Sequence, residues 1–296
     1  MPIILDHQLR EQIPHKSTEF PVTYYHDELA ELPNWEGPVH WHHDFEIATA
    51  VSNTVDYQMG RQHVTLQAGD SIFVNGNILH RIRQVSGDRP DPIPIILFSG
   101  NSIAHEHSTI YQKYIHPILQ CDSLPFIVFR HENSSYSEIN RLIQETYRRL
   151  SEQTQCYEMA VQRNISSILE YLFCNLDRFP KSEATRIQMR SQIRLQKMLT
   201  YIYEHYAETI TLEDIANAAH ISRSEAGRCF NAYMGCSPVD ALIKYRLQTA
   251  RRLLDEKTYT LQEISYACGF NSSNYFSRKF KETYGYAPSQ VSGLGK

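Results

Sequence analysis

Residues 40 to 46 read His-Trp-His-His-Asp-Phe-Glu. Side chains alternate along an extended strand, so His40, His42, Asp44 and Glu46 share one face, while Trp41, Phe45 and Ile47 point the other way. One face carries imidazoles and carboxylates, groups that bind hydroxyls and cations. The other suits only a core or an interface. Further on, GDSIFVNGNILH (Gly69 to His80) supplies a Gly-Asp turn, a short strand, a second turn at Asn75-Gly76 and then another imidazole, His80.

The elements that must position these groups are short strands. Runs at Phe45 to Val51, Val55 to Met59, Val64 to Leu66, Ser71 to Val74, Leu79 to Val85 and Ile93 to Phe98 are punctuated by Gly, Asn, Asp and Pro, the pattern of a small barrel or sandwich. From Tyr136 the period becomes helical. Ile139, Leu142, Ile143, Tyr147 and Leu150 line one helix (about 136 to 153), and Ile165, Ile168, Leu169, Leu172, Phe173 and Leu176 line a second (about 157 to 178). The polar stretch Asp177 to Arg190 contains Pro180 and breaks the pattern. The division expected is therefore a ligand-binding and dimerisation domain over 1–178, a linker over 179–190 and a helical domain over 191–296.

Bulk properties constrain the class. The 296 residues, 42% hydrophobic and 21% charged, describe a folded chain of two domains rather than a disordered or fibrous one. No apolar stretch is long enough to cross a bilayer, and Met1 to Arg10 lacks the pattern of a signal peptide, so a cytoplasmic protein is expected. The six cysteines form no Cys-x-x-Cys pair and read as reduced thiols. The net charge of -4 hides an asymmetry: Ser191 to Lys296 holds 13 Lys/Arg against 10 Asp/Glu, and the residues before it 16 against 23. Only His205 and His220 of the 14 histidines lie in the basic part.

That part contains an internal repeat. Thr211, Leu212, Ile215 and Ala218 recur as Thr260, Leu261, Ile264 and Ala267, and Phe230, Gly235 and Pro238 recur as Phe280, Gly285 and Pro288. Each copy offers a Thr N-cap, an acidic first turn, an Ile/Ala packing face, a tight break and a second helix: a helix-turn-helix, twice. Leu242, Ile243, Leu247, Ala250, Leu253 and Leu254 between them predict a joining helix. Such a helix could hold two recognition helices about 34 Å apart, one turn of DNA.

Arg246 to Gln290 resembles the signature of the AraC/XylS family of bacterial transcription regulators, through Arg246, Ala250, Leu254, Ile264, Gly269-Phe270, Phe276, Phe280-Lys281, Gly285 and Pro288. The resemblance covers Gln192 to Val291. Ala226 and Cys229 stand where that family has larger aliphatic residues, which predicts a looser first unit, and the tail after Pro288 lacks the usual aromatic-Arg end. Double-stranded DNA is the implied partner. On the second helix of the first unit, Ser224, Glu225, Gly227 and Arg228 face away from the core. In the second unit the corresponding set is Ser273, Asn274, Ser277 and Arg278, with Ser272 and Lys281 placed toward phosphate. Arg228 and Arg278 suit guanine, Asn274 adenine and Glu225 cytosine. Gly227 offers no side chain, so the second unit is expected to dominate specificity.

The histidine segments resemble the two motifs of the cupin barrel, whose enzymes use such residues as metal ligands. A metal, if present, would sit on His40, His42, Glu46 and His80. Barrels of this kind fused to the AraC-type part resemble metabolite sensors, which implies a sugar-like effector, no cofactor and no catalysis. Trp35, His40, His42, Glu46, Tyr57, His80 and Arg81 are the candidate contacts. The reading is an α+β protein: a cupin-like β-barrel with two trailing helices, then an all-α domain of two helix-turn-helix units joined by a linker helix. It is expected to act as a dimeric regulator, more an activator than a repressor, with RNA polymerase as a further partner. The alternatives are a metal-dependent cupin enzyme with a DNA-binding appendage and a regulator of stress genes without a sugar ligand.

Overall fold

In the computed structural model, residues 3–292 are described apart from 7, 27, 28, 30, 31, 61, 180–182 and 257. Strand β2 (Phe45–Thr49) is buried at every position, because it has a covering layer on each face. On either side of it lie β1 (Val22–Tyr25), β5 (Ser71–Val74), β7 (Ile95–Phe98) and β8 (Phe126–Phe129), forming an antiparallel sheet in the order β1-β7-β2-β5-β8. Facing it is a second sheet of β3 (Val55–Met59), β4 (Gln62–Leu66) and β6 (Arg81–Gln84), in the order β4-β3-β6. Phe45 and Ile47 point out of the barrel into a core shared with Tyr147, Val161, Ile165 and Leu172. Ala48 points inward, into a core with Val55, Tyr57, Leu66, Ile72 and Ile82. Each such aliphatic or aromatic side chain contributes about 1.5–3 kcal/mol on burial. By this alternation Glu46 must also point inward.

The outer layer is α2 (Ser137–Glu152) and α3 (Tyr157–Cys174), which follow a helical stretch ending in α1 (His116–Leu119). The pair is pinned to β2 by the Tyr147 hydroxyl, which donates to the Ile47 carbonyl at 3.2 Å and accepts from Thr49 at 3.2 Å. Strands β1 and β8 stand outside the runs read from the sequence. Both are four residues long, too short to display a period.

The chain divides into compact units at 1–190 and 191–296. The segment expected to be a linker is helical from Glu183 onward, as the start of α4 (Glu183–His205), while 180–182 lie outside the described residues. Glu183, Ala184, Arg186, Gln188, Met189 and Arg190 are all good helix formers by residue type. Then follow α5 (Leu212–Ala218), α6 (Arg223–Met234), α7 (Pro238–Glu256), α8 (Leu261–Ala267), α9 (Ser273–Tyr284) and α10 (Pro288–Ser292). The repeat is exact at the level of caps. Thr211 and Asp214 close a capping box on α5, and Thr260 and Glu263 close one on α8, each box satisfying two otherwise orphaned amides. The sequence break at Gly269 is a left-handed turn, φ +78°, as its residue type suggests.

Candidate functional site

Inside the barrel, His40, His42, Glu46 and His80 come together with one ligand-type atom from each within 4.8 Å of the others. All four are buried. His40 and His80 face each other across an antiparallel bridge outside the named strands, His42 lies in the turn before β2, and Glu46 is on β2 itself. Backbone carbonyls set the ring orientations. Nδ1 of His40 donates to Pro38 O at 2.9 Å, Nδ1 of His42 to Asp44 O at 2.9 Å and Nδ1 of His80 to Ile78 O at 2.8 Å. A carbonyl can only accept, so each Nδ1 carries its proton, and a neutral ring then offers a bare lone pair at Nε2. The Nε2 atoms of His42 and His80 both lie 3.1 Å from Glu46 Oε2, while Glu46 Oε1 accepts from the Tyr57 hydroxyl at 2.8 Å.

The electrostatics follow from this crowding. Burial pushes the Glu46 carboxyl up, but the neighbouring His80 and His42 outweigh it and hold the group well below the usual carboxylate range. Burial likewise pushes His42 down, and the Glu46 hydrogen bond and charge more than reverse it. His40, against other imidazoles and fully desolvated, drops to about 3. Burial and the Glu46 charge push the Tyr57 hydroxyl well above its ordinary value. Three imidazoles and one carboxylate gathered this closely form a good ligand set for a divalent transition ion, which would take the place of the protons between them. The outward Nδ1–H to carbonyl bonds fix the ring orientations and tautomers, as metal-binding imidazoles require. The donors therefore fit the metal that the barrel motifs imply.

The cavity beside the cluster measures about 30 Å³ and is lined by Glu11, Tyr25, His40, Glu46 and His80 among apolar neighbours. That volume suffices for a water or an ion, whereas pockets for organic ligands run from about 300 Å³ upward. Trp35 and Arg81 are not among its lining residues: Arg81 reaches instead to Gln58 at 2.6 Å and to Glu36. Asp44, on the polar face in the sequence, turns to His15 at 2.6 Å, and that ring bonds Thr23 at 2.8 Å. Trp41 is buried, with Nε1 donating to Gln8 O. Glu11 was not legible as a site residue, because the irregular segment around it carries no period that would aim a lone Glu inward.

Within residues 191–296, Ser224 and Arg228 of α6 and Asn274, Arg278 and Lys281 of α9 are exposed, and Glu225, Ser273 and Ser277 partly so. Ala226, Cys229 and Phe230 on α6, and Phe276 and Phe280 on α9, are buried on the opposite sides. Arg228 forms an ion pair with Glu225, which also meets Arg194 at 3.3 Å. Arg278 lies over the Tyr275 ring at 5.3 Å and only 3.8 Å from Glu282. The Ser272 hydroxyl, expected to serve phosphate, caps α9 by accepting the Tyr275 amide at 3.4 Å.

Comparison with known proteins bears on both units. The Helix-turn-helix domain pattern matches residues 215–293 and the Cupin domain pattern residues 30–90. The uncharacterized HTH-type transcriptional regulator YdeC of Bacillus subtilis is 26% identical over 285 residues, 96% of both chains. The HTH-type transcriptional activator RhaS of Escherichia fergusonii is 23% identical over 266 residues, 88% of this chain and 89% of that one. In both parts the chain is similar to AraC-type DNA-binding transcription regulators that carry a cupin domain. The raffinose operon transcriptional regulatory protein RafR of Pediococcus pentosaceus is 30% identical over 125 residues, 42% of this chain and 45% of RafR. Among the described residues no helix of this regulator is long and apolar enough to cross a membrane.

Proposed function

We propose that this AraC-family regulator couples promoter binding to occupancy of its barrel by a divalent transition metal ion held by His40, His42, His80 and Glu46. The observation that carries the reading is the gathering of three buried imidazoles and the Glu46 carboxylate within 4.8 Å of one another, with every Nδ1 tied to a carbonyl. Burying such a group set costs several kcal/mol unless its charges and lone pairs are used. The protein acts here as a sensor and not as an enzyme, in the cytoplasm, as a dimer whose recognition helices read DNA and whose bound form engages RNA polymerase. RhaS, by its name an activator, supports activation as the sign of regulation.

The test is elemental analysis of the full chain after reconstitution with Mn, Fe, Co, Ni and Zn salts, paired with binding to an operator selected from random duplexes. About one ion per chain, lost in His42→Ala, and an operator affinity that changes on loading are expected. A chain that retains no metal sinks the reading.

A carbohydrate effector is the second reading, favoured by the likeness to RafR, whose name places it at a raffinose operon. Tyr57, His40, His42, Glu46 and His80 would then serve hydroxyls, with Trp35 and Arg81 recruited as the barrel opens. The cavity of about 30 Å³ must widen for this. A thermal-shift screen of sugars on metal-free protein separates the two readings: stabilisation by one sugar favours this second one.

A further inference from the structure

The cluster has a neighbour from outside the barrel strands. Glu11 is buried, its side chain only 4% exposed, and its Oε2 lies 3.6 Å from His40 Nε2. Among the described residues its carboxylate accepts one hydrogen bond, a long one of 3.4 Å from the Tyr25 hydroxyl. The facing His40 ring has its proton on Nδ1, donated to Pro38 O, so in its neutral form it turns a lone pair, not a donor, toward Glu11. Two acceptors therefore face each other at the rim of the cavity that Glu11 and the cluster both line.

The main chain delivers Glu11 there deliberately. Its amide donates to Trp41 O at 2.9 Å, the Trp41 amide donates to Leu9 O at 3.0 Å, and the Trp41 indole donates to Gln8 O at 2.8 Å. The segment also folds on itself, with an antiparallel bridge between Leu5 and Glu11. Trp41 sits between His40 and His42, so the stretch that carries two ligands also fastens the strap that carries Glu11.

Resting on the metal-centre reading above, we propose that Glu11 supplies a fifth ligand, so that the N-terminal strap closes the centre into a set of three nitrogens and two carboxylates. A catalytic centre keeps a position open for substrate or water, whereas a structural or sensing centre is filled by protein. With Glu11 in place and only about 30 Å³ of free space, the ion itself is the effector, and its arrival or loss is felt directly by residues 3–12 through the Glu11 backbone. Two carboxylates and three imidazoles favour five- or six-coordinate ions such as Mn, Fe, Co and Ni over a tetrahedral zinc site.

Cobalt titration of the full-length metal-free protein tests this. The wild type is expected to take up one Co²⁺ with the weak visible bands of a five-coordinate ion. Glu11→Gln should still bind one Co²⁺, but roughly tenfold or more weakly and with the stronger bands of a four-coordinate ion. Its strap, residues 3–12, should be cut by protease whether or not cobalt is present, whereas cobalt should protect the wild-type strap. Wild type and Glu11→Gln with the same spectrum and affinity would overturn the fifth ligand and leave the four-residue centre standing. No cobalt uptake by the wild type would overturn both. If Glu11→Gln fails to fold by circular dichroism, the wild-type spectrum decides, since intense four-coordinate bands there exclude Glu11 from the centre.

Discussion

Helices α5 and α8 start on the same capping box, and α6 and α9 both end on a left-handed glycine, but the surroundings of the two units differ. The second unit buries Phe270, Phe276 and Phe280, with Cys268 and Leu254 packed against them. On the first unit's recognition helix, Ala226 and Cys229 fill the positions beside Phe230. In the second unit the guanidinium of Arg278 lies over the Tyr275 ring with Glu282 at 3.8 Å, while in the first Arg228 pairs closely with Glu225 and nothing lies within 4 Å of a Cβ added at Gly227. A duplicated motif thus keeps the backbone rules that make it fold and lets the exposed side chains of the second helix differ. The contrast predicts that the second unit reads DNA more strongly than the first, and five substitutions can break or sharpen it.

The largest effect is expected at the turn. Gly269 has φ +78°, and a methyl added there would lie 2.4 Å from the Tyr206 carbonyl oxygen, which also accepts from Arg246 Nε at 2.7 Å. The matching position in the first unit is His220, which holds φ +54° with a full side chain. Gly269→Ala combines left-handed strain with a backbone clash and should cost about 3 kcal/mol of stability. His220→Gly exchanges relief of strain against chain entropy and should change stability by less than about 1 kcal/mol. Urea unfolding of residues 191–296, followed in the full chain, measures both. Equal effects would remove the asymmetry between the turns.

The next effect concerns DNA. Arg278→Ala should weaken binding to a selected operator by about 1–3 kcal/mol, the worth of one good base contact. Arg228→Ala should cost less than half of that, because the wild-type side chain must first leave its close pair with Glu225, whereas Arg278 meets Glu282 only at 3.8 Å. The pair is exposed, and such pairs hold only about 0–1 kcal/mol, so the difference arises at the DNA and not in the fold. If a phosphate is the partner, the loss at Arg278 will be spread evenly over operator variants and the salt dependence will flatten. A larger loss at Arg228 than at Arg278 would reverse the ranking of the two units.

How much of this was legible from residues alone follows physical lines. The repeat, the caps and the left-handed turn are local, set by a few neighbours in sequence, and Thr211, Thr260 and Gly269 announce them directly. The inward aim of Glu46 follows from strand alternation, and His80 from its turn. What alternation could not convey is Asp44: once the backbone leaves β2 the period ends, and its carboxylate is free to turn to His15. Glu11 depends on a strap fastened to Trp41 across thirty positions, and no short-range pattern encodes that. The size of the cavity, about 30 Å³, is a property of two packed sheets, and no run of residues specifies it. The helical start of α4 was hidden by the polarity of the segment, since a helix without an apolar stripe looks like a linker.

The smallest effect tests the gap itself. An added methyl at Gly227 meets nothing within 4 Å, and the residue lies within α6. Gly227→Ala should therefore stabilise the first unit by about 0.5–1 kcal/mol through helix propensity and a less free unfolded chain. Its influence on operator binding separates two uses of the gap. If the first unit merely rests on the duplex, a methyl is tolerated and affinity stays within about threefold. If the backbone at Gly227 lies against DNA, the same methyl pushes the helix away, and affinity falls although stability rises. Those opposite signs in one variant would show that the first unit reads by close approach of its main chain, and the second unit could no longer be ranked above it on side chains alone.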